Sequence, residues 1–367
     1  MLAKLPEFVR EIGSVRPLLV TDKGIRAAGH LDRAFSYLKE AGIEVAVFDD
    51  VQENPRNACM AACMAFAAEA GIDSLIGLGG GSSMDTAKGC NFLLTNGGEM
   101  KDYHGYGKAA KPMLPFIAIP TTSGTGSECQ SYALVSDDAT HVKMACGDAK
   151  ALAEVALLDP ELTASQPQRI AILTGLDALA HALETAVCLP RNPISKIYSM
   201  EAFRFLAQSI EAVISGEASL EDRSNMQMGA ALAGLAIENS MLGAAHACAN
   251  PLTAFYDMTH GHAIALMLPH VIRFNKCDAA ANEIYRSYER WIPRGEQGSS
   301  DMADWFERLA DAAGLSSLAV FGVTEDVMKL AAAAEQQWTG RFNPRTLGQE
   351  DFEGLYRNAL SCVAKIV

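Results

Sequence analysis

Up to Asp159 the chain alternates short apolar runs with longer stretches of helical spacing. Pro17-Leu-Leu-Val-Thr-Asp22, Glu44-Val-Ala-Val-Phe48, Ser74-Leu-Ile-Gly-Leu78, Phe116-Ile-Ala-Ile119 and Val155-Ala-Leu-Leu158 have the length and apolarity of buried strands. Residues 25–41 and 56–70 carry helical spacing between them. Strands that are apolar throughout and separated by helices predict a parallel sheet covered on both faces. Residues 131–136 and 142–146 predict a hairpin beside that sheet, and residues 1–16 carry no pattern. Beyond Asp159-Pro160 the strand signals stop. Residues 164–188, 194–215 and 220–247 are rich in Ala and Leu at helical period, so an all-helical second domain is expected. The division is set at 1–163 and 164–367.

Ligands of open parallel sheets sit at the carboxyl ends of the strands, and three features there are unusual. Gly79-Gly-Gly-Ser-Ser-Met-Asp-Thr-Ala-Lys88 directly follows the third strand. Its glycines let backbone approach a phosphate, and the helix beginning near Ser83 points N–H groups at it. The run is neither GxGxxG nor a P-loop, and a plain flexible turn is the alternative. Pro120-Thr-Thr-Ser-Gly-Thr-Gly126 follows the fourth strand with three hydroxyls, though a polar turn has the same composition. Asp22 ends the first strand. A carboxylate there can take ribose hydroxyls and repel a 2′-phosphate; taken alone, a helix-capping Asp is the simpler account.

In the second half, Gly175-Leu-Asp-Ala-Leu-Ala-His181 places Asp177 and His181 four residues apart, on one helical face with Glu184. Their surroundings are apolar, and burying an unpaired carboxylate is costly, so the pair needs either a mutual hydrogen bond or a divalent metal. His246 and His260 lie in later apolar segments. One Asp and three His make a plausible set for Fe²⁺ or Zn²⁺. His262 competes with His260 for the last place. His30, His104, His141 and His270 have no such company and read as structural or exposed. No HExxH occurs, so a metalloprotease is unsupported.

Composition narrows the classes. Of 367 residues 49% are hydrophobic and 20% charged, with a net charge of −14. A nucleic-acid surface needs clustered Lys and Arg, so none is expected. The apolar run from Ala58 to Ala68 is shorter than the ~20 residues of a membrane span and reads as a buried helix. Nine cysteines without paired spacing, and no basic-then-apolar leader, point to a reduced cytoplasmic compartment.

Taken together, Gly79-Gly-Gly-Ser82 with Asp85 and Lys88, Ile119-Pro-Thr-Thr-Ser-Gly-Thr125, Gly175 to Glu184, and Pro251-Leu-Thr-Ala-Phe-Tyr256 leading to His260-Gly261 are recognisable. From about Leu18 to Asn343-Pro344-Arg345 the sequence resembles the iron-containing (group III) alcohol dehydrogenase family, near its lactaldehyde reductase and propanediol oxidoreductase branch. The resemblance implies an N-terminal Rossmann-like dinucleotide-binding α/β domain, a C-terminal all-helical metal domain, and a site in the cleft. It implies Asp177, His181, His246 and His260 as metal ligands and Gly79, Gly80, Gly81 and Ser82 as the pyrophosphate loop. Asp22 takes the position that favours NAD, and Asn54, Asp85, Thr121, Thr122, Thr125 and Lys143 match positions lining the coenzyme pocket. Two departures stand out. Asn250 occupies a position where the family often carries a histidine credited with proton relay or coenzyme contact. The usual first edge strand is weak or missing before Leu18, which leaves the sheet edge less well covered.

Residues and resemblance together predict hydride transfer between NAD(H) and a small alcohol or aldehyde, with Fe²⁺, or alternatively Zn²⁺ or Ni²⁺, as Lewis acid. Glu184 is either a group orienting a ligating imidazole or an ordinary helix Glu. The alternatives are a Zn-dependent polyol (glycerol) dehydrogenase-like enzyme, a reductase of phosphonate- or carboxylate-bearing aldehydes using Arg341 and Arg345, a sugar-phosphate cyclase of the dehydroquinate synthase type, and a non-catalytic NAD- or metal-binding sensor. Few basic residues near the ligands disfavour the cyclase, and complete ligand and coenzyme sets disfavour the sensor. The expected assembly is a homodimer, with no membrane partner.

Overall fold

The computed structural model describes residues 1–138, 143–293, 301–323 and 326–361. His141 and Val142 therefore lie outside the described residues. The chain divides into two compact units, Met1–Gln166 and Pro167–Val367. The division at 163/164 read from the sequence falls a few residues earlier. The turn Pro160–Thr163, capped by Asp159, stays with the first unit, as does Ser165, whose hydroxyl meets His30 Nε2 at 2.6 Å.

In the first unit α1 (Leu5–Glu11) precedes β1 (Pro17–Val20), α2 (Lys23–Ala27), α3 (His30–Glu40), β2 (Ala46–Phe48), α4 (Asn57–Ala70), β3 (Ser74–Gly79) and α5 (Gly81–Asn96). There follow β4 (Gly105–Tyr106), β5 (Phe116–Pro120), β6 (Tyr132–Ser136), β7 (Lys143–Gly147) and β8 (Val155–Ala156). The main sheet is parallel throughout, in the order β2-β1-β3-β5-β8. Successive side chains point to opposite faces. Leu19, Ile76, Leu78, Ile117 and Ile119 therefore pack with Leu5 and Val9 of α1 and Leu31 and Leu38 of α3. Leu18, Val20, Leu75, Phe116 and Ala118 pack with Cys63 and Ala67 of α4 and Met84 and Ala87 of α5. Each fully buried Leu or Ile contributes on the order of 1.5–3 kcal/mol. This is the dinucleotide-type α/β unit expected, with β3 and β5 adjacent so that their following loops emerge side by side.

Two expectations for this unit need correction, and two hold. The helix read over residues 25–41 is two helices, because Gly29 adopts a left-handed φ of 80° at the start of α3. As expected, no strand precedes β1 among the described residues; that stretch folds as α1, whose Leu5 and Val9 cover a sheet face, and the half-buried β2 is an edge strand. The run from Ala58 to Ala68 is not buried all round. Cys59, Met60, Cys63 and Ala67 of α4 are buried and Met64 packs half-buried with them, while Phe66 is 38% exposed. The expected hairpin is present: β6 and β7 pair antiparallel, and β4 adds to β7 to make a separate three-stranded sheet.

The second unit contains α6 (Gln168–Val187), α7 (Pro193–Ser215), α8 (Leu220–Glu238), α9 (Ala244–Tyr256), α10 (His260–Asn275), α11 (Ala279–Tyr288), α12 (Met302–Ala312), α13 (Val327–Glu335) and α14 (Gln349–Ser361). Asn192 and Ser219 start α7 and α8 with capping boxes, and Pro193 occupies the first helical position. The last expectation to fail is one helix over residues 220–247. α8 stops at Glu238, and α9 starts afresh after Gly243. A side chain on Gly243 would sit 3.1 Å from Glu184 Oε1 and 3.2 Å from Asn343 Oδ1, so the polar groups of the break leave no room for one.

Among the described residues one helix, α6, is long and apolar enough to cross a membrane, and 83% of its apolar window is buried inside the fold. Its apolarity belongs to the core, where Leu176, Leu179 and Leu183 pack among α7, α9 and α10 residues. Gly261, near the start of α10, lies directly against it: a Cβ there would stand 2.2 Å from the Leu173 carbonyl oxygen. Backbone cannot retreat as a side-chain end can. Gly261→Ala is expected to lower unfolding free energy by about 1–3 kcal/mol. Urea denaturation checks this; an unchanged midpoint would show that α10 is not packed this closely.

Candidate metal centre and coenzyme loops

The second unit gathers three imidazoles around one carboxylate oxygen. α6 carries Asp177 and, one turn later, His181, whose Nε2 lies 3.6 Å from Asp177 Oδ1. α9 brings His246 Nε2 to 3.5 Å from that oxygen, and the first residue of α10 brings His260 Nε2 to 3.8 Å. Ligand atoms of Asp177, His181 and His246 lie within 4.8 Å of one another. The rings of His181 and His246 stack at 4.8 Å. Asp177, His181 and His246 are buried, while the His260 side chain is 23% exposed and forms the open side.

These distances exceed those of good hydrogen bonds. Asp177 Oδ1 and His246 Nε2 are buried and make none. Ligands at 2.0–2.1 Å around a tetrahedral cation stand about 3.4 Å apart. The spacing, the donor types and the orphaned buried atoms therefore fit a divalent metal. Electrostatics agree. Burial opposes the charge on Asp177, but His181, His246 and His260 together hold its carboxyl well below the usual carboxylate range. Burial likewise opposes a charged His246, yet Glu184 and Asp177 outweigh it and raise that imidazole to about 9. The pocket is built to attract positive charge.

Glu184 completes the arrangement. Its Oε2 accepts from His246 Nδ1 at 2.5 Å and its Oε1 accepts from the Ala245 N–H at 2.6 Å. One carboxylate thus holds the His246 proton on Nδ1, so that Nε2, turned toward Asp177, is the nitrogen that gives up its proton to a cation, and satisfies an orphan donor at the start of α9. Asn343 Oδ1 takes a neighbouring N–H, that of Ala244, at 3.4 Å. Asn343 also exchanges hydrogen bonds with Asn275 of α10, at 3.0 and 2.7 Å. This amide pair ties the start of α9 and the end of α10 to residues 343–345. Sequence reading missed it; the one available signal was Asn343-Pro344 itself.

The competing histidines are otherwise engaged. His262 Nε2 meets the Ser316 carbonyl at 2.7 Å and its Nδ1 meets Arg169 at 3.5 Å. His30 bonds Ser165, His104 is exposed, and His270 is buried, which pushes it down to about 4. Arg345 donates to the Phe274 carbonyl at 2.6 Å and lies over the Phe274 ring, so it is a structural residue, while Arg341 is exposed. Asn250, one turn after His246, donates to Gln337 Oε1 at 2.9 Å.

In the first unit β3 and β5 pair with Gly79 opposite Pro120, so both polar loops leave the same sheet end together. The Thr121 N–H donates to the Gly79 carbonyl at 2.9 Å. Gly79 has φ 153°, and a Cβ on it would meet Ser83 Oγ at 2.3 Å. One on Gly80 would meet Thr122 Cγ2 at 3.3 Å, and one on Gly81 would meet Thr125 Cγ2 at 2.9 Å. Ser82 lies in the first turn of α5. The glycines, Ser82 and the threonines thus form one cradle of backbone at a helix start, a setting suited to a pyrophosphate. Asp22 both caps α2, accepting from the Ile25 N–H at 3.0 Å, and directs Oδ2 toward Ser83 Oγ at 3.5 Å. Asp85 is buried and accepts from Ser127 Oγ at 2.7 Å. Lys143 begins β7, and its charge acts on Asp85. Asn54 is exposed after β2 with a left-handed φ of 50°.

Comparison with known proteins agrees with both units. The profile described as iron-containing alcohol dehydrogenase matches residues 1–160, and the family's C-terminal profile matches residues 171–360. The chain is 37% identical over 266 residues to a 1,3-propanediol dehydrogenase of Klebsiella pneumoniae, covering 72% of this chain and 69% of that one. It is 32% identical over 360 residues to the NAD-dependent methanol dehydrogenase of Bacillus methanolicus, covering 96% and 94%. A crystal structure of 1,3-propanediol oxidoreductase superposes with TM-score 0.91 at 33% identity, covering 98% and 95%. A glycine-cradled α/β unit followed in the chain by a histidine-rich helical unit defines a metal-dependent dehydrogenase of this class. The chain belongs to the iron-containing alcohol dehydrogenase family. It is a metal-dependent, NAD(H)-linked alcohol or aldehyde oxidoreductase with a divalent metal cofactor.

If Glu184 fixes the His246 tautomer, Glu184→Gln is expected to weaken metal affinity about 10–100-fold. Chelator competition on the folded variant checks this; wild-type affinity would reduce Glu184 to a helix cap.

Proposed function

We propose that Asp177, His181, His246 and His260 hold one Fe²⁺, that the cradle of Gly79, Gly80, Gly81, Ser82, Thr121, Thr122 and Thr125 holds NAD(H), and that the enzyme interconverts a short-chain alcohol and its aldehyde. The observation carrying this reading is the convergence of three imidazole Nε2 atoms at 3.5–3.8 Å on Asp177 Oδ1. Iron is favoured over Zn²⁺ or Ni²⁺ on family grounds, since the ligand set suits all three. Short alcohols are favoured because relatives are named for 1,3-propanediol and methanol.

When bound, the divalent ion supplies Lewis acidity at the substrate oxygen, and the nicotinamide supplies or receives the hydride. The chain's own residues set the conditions. Asp177 contributes fixed negative charge in a buried site. Glu184 keeps the His246 proton on Nδ1. The open side at His260 leaves room for a substrate oxygen. Asn250, paired with Gln337, has no titratable proton near pH 7, so the alcohol proton leaves by water or a coenzyme ribose hydroxyl. With Arg345 committed to Phe274, an acid-bearing aldehyde loses one of its two proposed anchors. A homodimer in a reducing, cytoplasmic compartment suits the eight described cysteines, all of them thiols.

Asp22 Oδ2 is placed to accept from an adenosine ribose and to repel a 2′-phosphate. Anaerobically purified enzyme, assayed on a panel of short aldehydes after metal analysis, is expected to show kcat/KM at least about tenfold higher with NADH than with NADPH, or about 1.4 kcal/mol. Equal efficiency would leave Asp22 as a cap of α2.

A further inference from the structure

Beneath the cradle lies a buried charge cluster that hydride transfer does not itself require. The Lys88 ammonium, from the middle of α5, lies 2.6 Å from the Ser127 carbonyl, 2.8 Å from Ser127 Oγ, 2.7 Å from the Gln130 carbonyl and 3.0 Å from the Tyr132 carbonyl. Ser127 Oγ passes the connection on, donating to Asp85 Oδ1 at 2.7 Å. Lys88 thus binds the strand that continues the threonine loop to the helix that continues the glycine loop. Next to Ser127 stands Glu128, 3% exposed, whose Oε1 has no hydrogen-bond partner among the described residues. A buried carboxyl left half-satisfied beside an ammonium that already serves several acceptors is a site of conflict.

We propose that Glu128 is a positioning residue for the coenzyme, its carboxyl competing with the loop carbonyls and Asp85 for Lys88, so that the dinucleotide binds more tightly when Glu128 is protonated. The proposal rests on the reading that these loops hold the coenzyme. Ionised Glu128 adds a second buried carboxylate acting on Lys88 and draws the ammonium away from the carbonyls of Ser127, Gln130 and Tyr132. The grip that keeps Thr122 and Thr125 against Gly80 and Gly81 loosens. The added negative charge also opposes a dianionic pyrophosphate nearby.

The groups facing Glu128 are few. α5 supplies Lys88, and β5 supplies no titratable side chain. Cys129, on the same turn, is pushed up to about 12, mainly by burial, and stays neutral. Lys143 of β7 acts on Asp85 rather than on Glu128. Burial pushes the Glu128 carboxyl up to about 7, its own backbone N–H and Lys88 pulling the other way. The proton therefore leaves as pH rises through neutrality, and coenzyme affinity falls with it.

The test is NADH affinity by fluorescence titration of the metal-loaded enzyme between about pH 6 and about pH 8, for wild type, Glu128→Gln and Gly81→Val. Wild-type affinity is expected to weaken on the order of tenfold across that range. Glu128→Gln, isosteric and neutral, is expected to keep the low-pH affinity throughout, with metal content unchanged. An affinity in wild type that does not vary with pH, or the same slope in Glu128→Gln, overturns the proposal. Gly81→Val separates the underlying reading, because its side chain would collide with Thr125 in the cradle. If it binds NADH at wild-type strength, the loops do not hold the dinucleotide and the proposal falls with them. If it loses binding while Glu128→Gln keeps the wild-type slope, only the role of Glu128 is refuted.

Discussion

A single buried carboxylate oxygen, Asp177 Oδ1, lies at the meeting point of three imidazoles in the core of the helical unit. Burying such a charge costs several kcal/mol even after relaxation, unless positive charge is brought to it. The local architecture meets that demand from three directions. α6 supplies the carboxylate and one imidazole at a spacing of four residues. α9 and α10 each supply one imidazole from their first turns. Positive charge shared among these rings, or carried by a divalent cation, lets the unit keep Asp177 ionised.

Bringing two helix starts into a core raises a second problem, because the first N–H groups of a helix have no partner within it. The chain solves it with the groups that organise the ligands. Glu184 takes the Ala245 N–H with one oxygen and the His246 Nδ1–H with the other. Asn343 takes the Ala244 N–H while paired with Asn275. Gly243 leaves room for both side-chain oxygens, and Gly261 lets α10 lie on the Leu173 backbone. The α/β unit works in the same way at a different helix start: glycines 79–81 bring backbone to the opening of α5, and Lys88 fastens the adjoining loop behind it.

Much of this was legible in the sequence because it is periodic or local. Strands β1, β3 and β5 are apolar on both faces and could be read directly. Asp177, His181 and Glu184 share a face by arithmetic of the helix. His246 and His260 had meaning only in company, and His262 was an equal competitor until the fold gave it Ser316 and Arg169 as partners. What stayed hidden depends on contacts between distant residues. Asn343 and Asn275 are 68 positions apart and carry amides that mark no chemistry on their own. Ser127 reaches Asp85 across 42 positions. Helix breaks at Gly29 and at 239–243 escaped because Ala- and Leu-rich flanks continue the helical pattern through them; tertiary hydrogen bonds, not propensity, decide where α9 begins. Arg345 looked free to meet an acidic substrate because its sequence neighbours do not include Phe274.

The most direct test is metal stoichiometry in protein purified anaerobically, compared among wild type, Asp177→Asn and His260→Ala, with circular dichroism to establish folding. About one divalent ion per chain is expected in wild type, and a substoichiometric, readily chelated ion in each variant. A folded variant that retains a full, chelator-resistant ion would contradict the assignment of the centre to these residues.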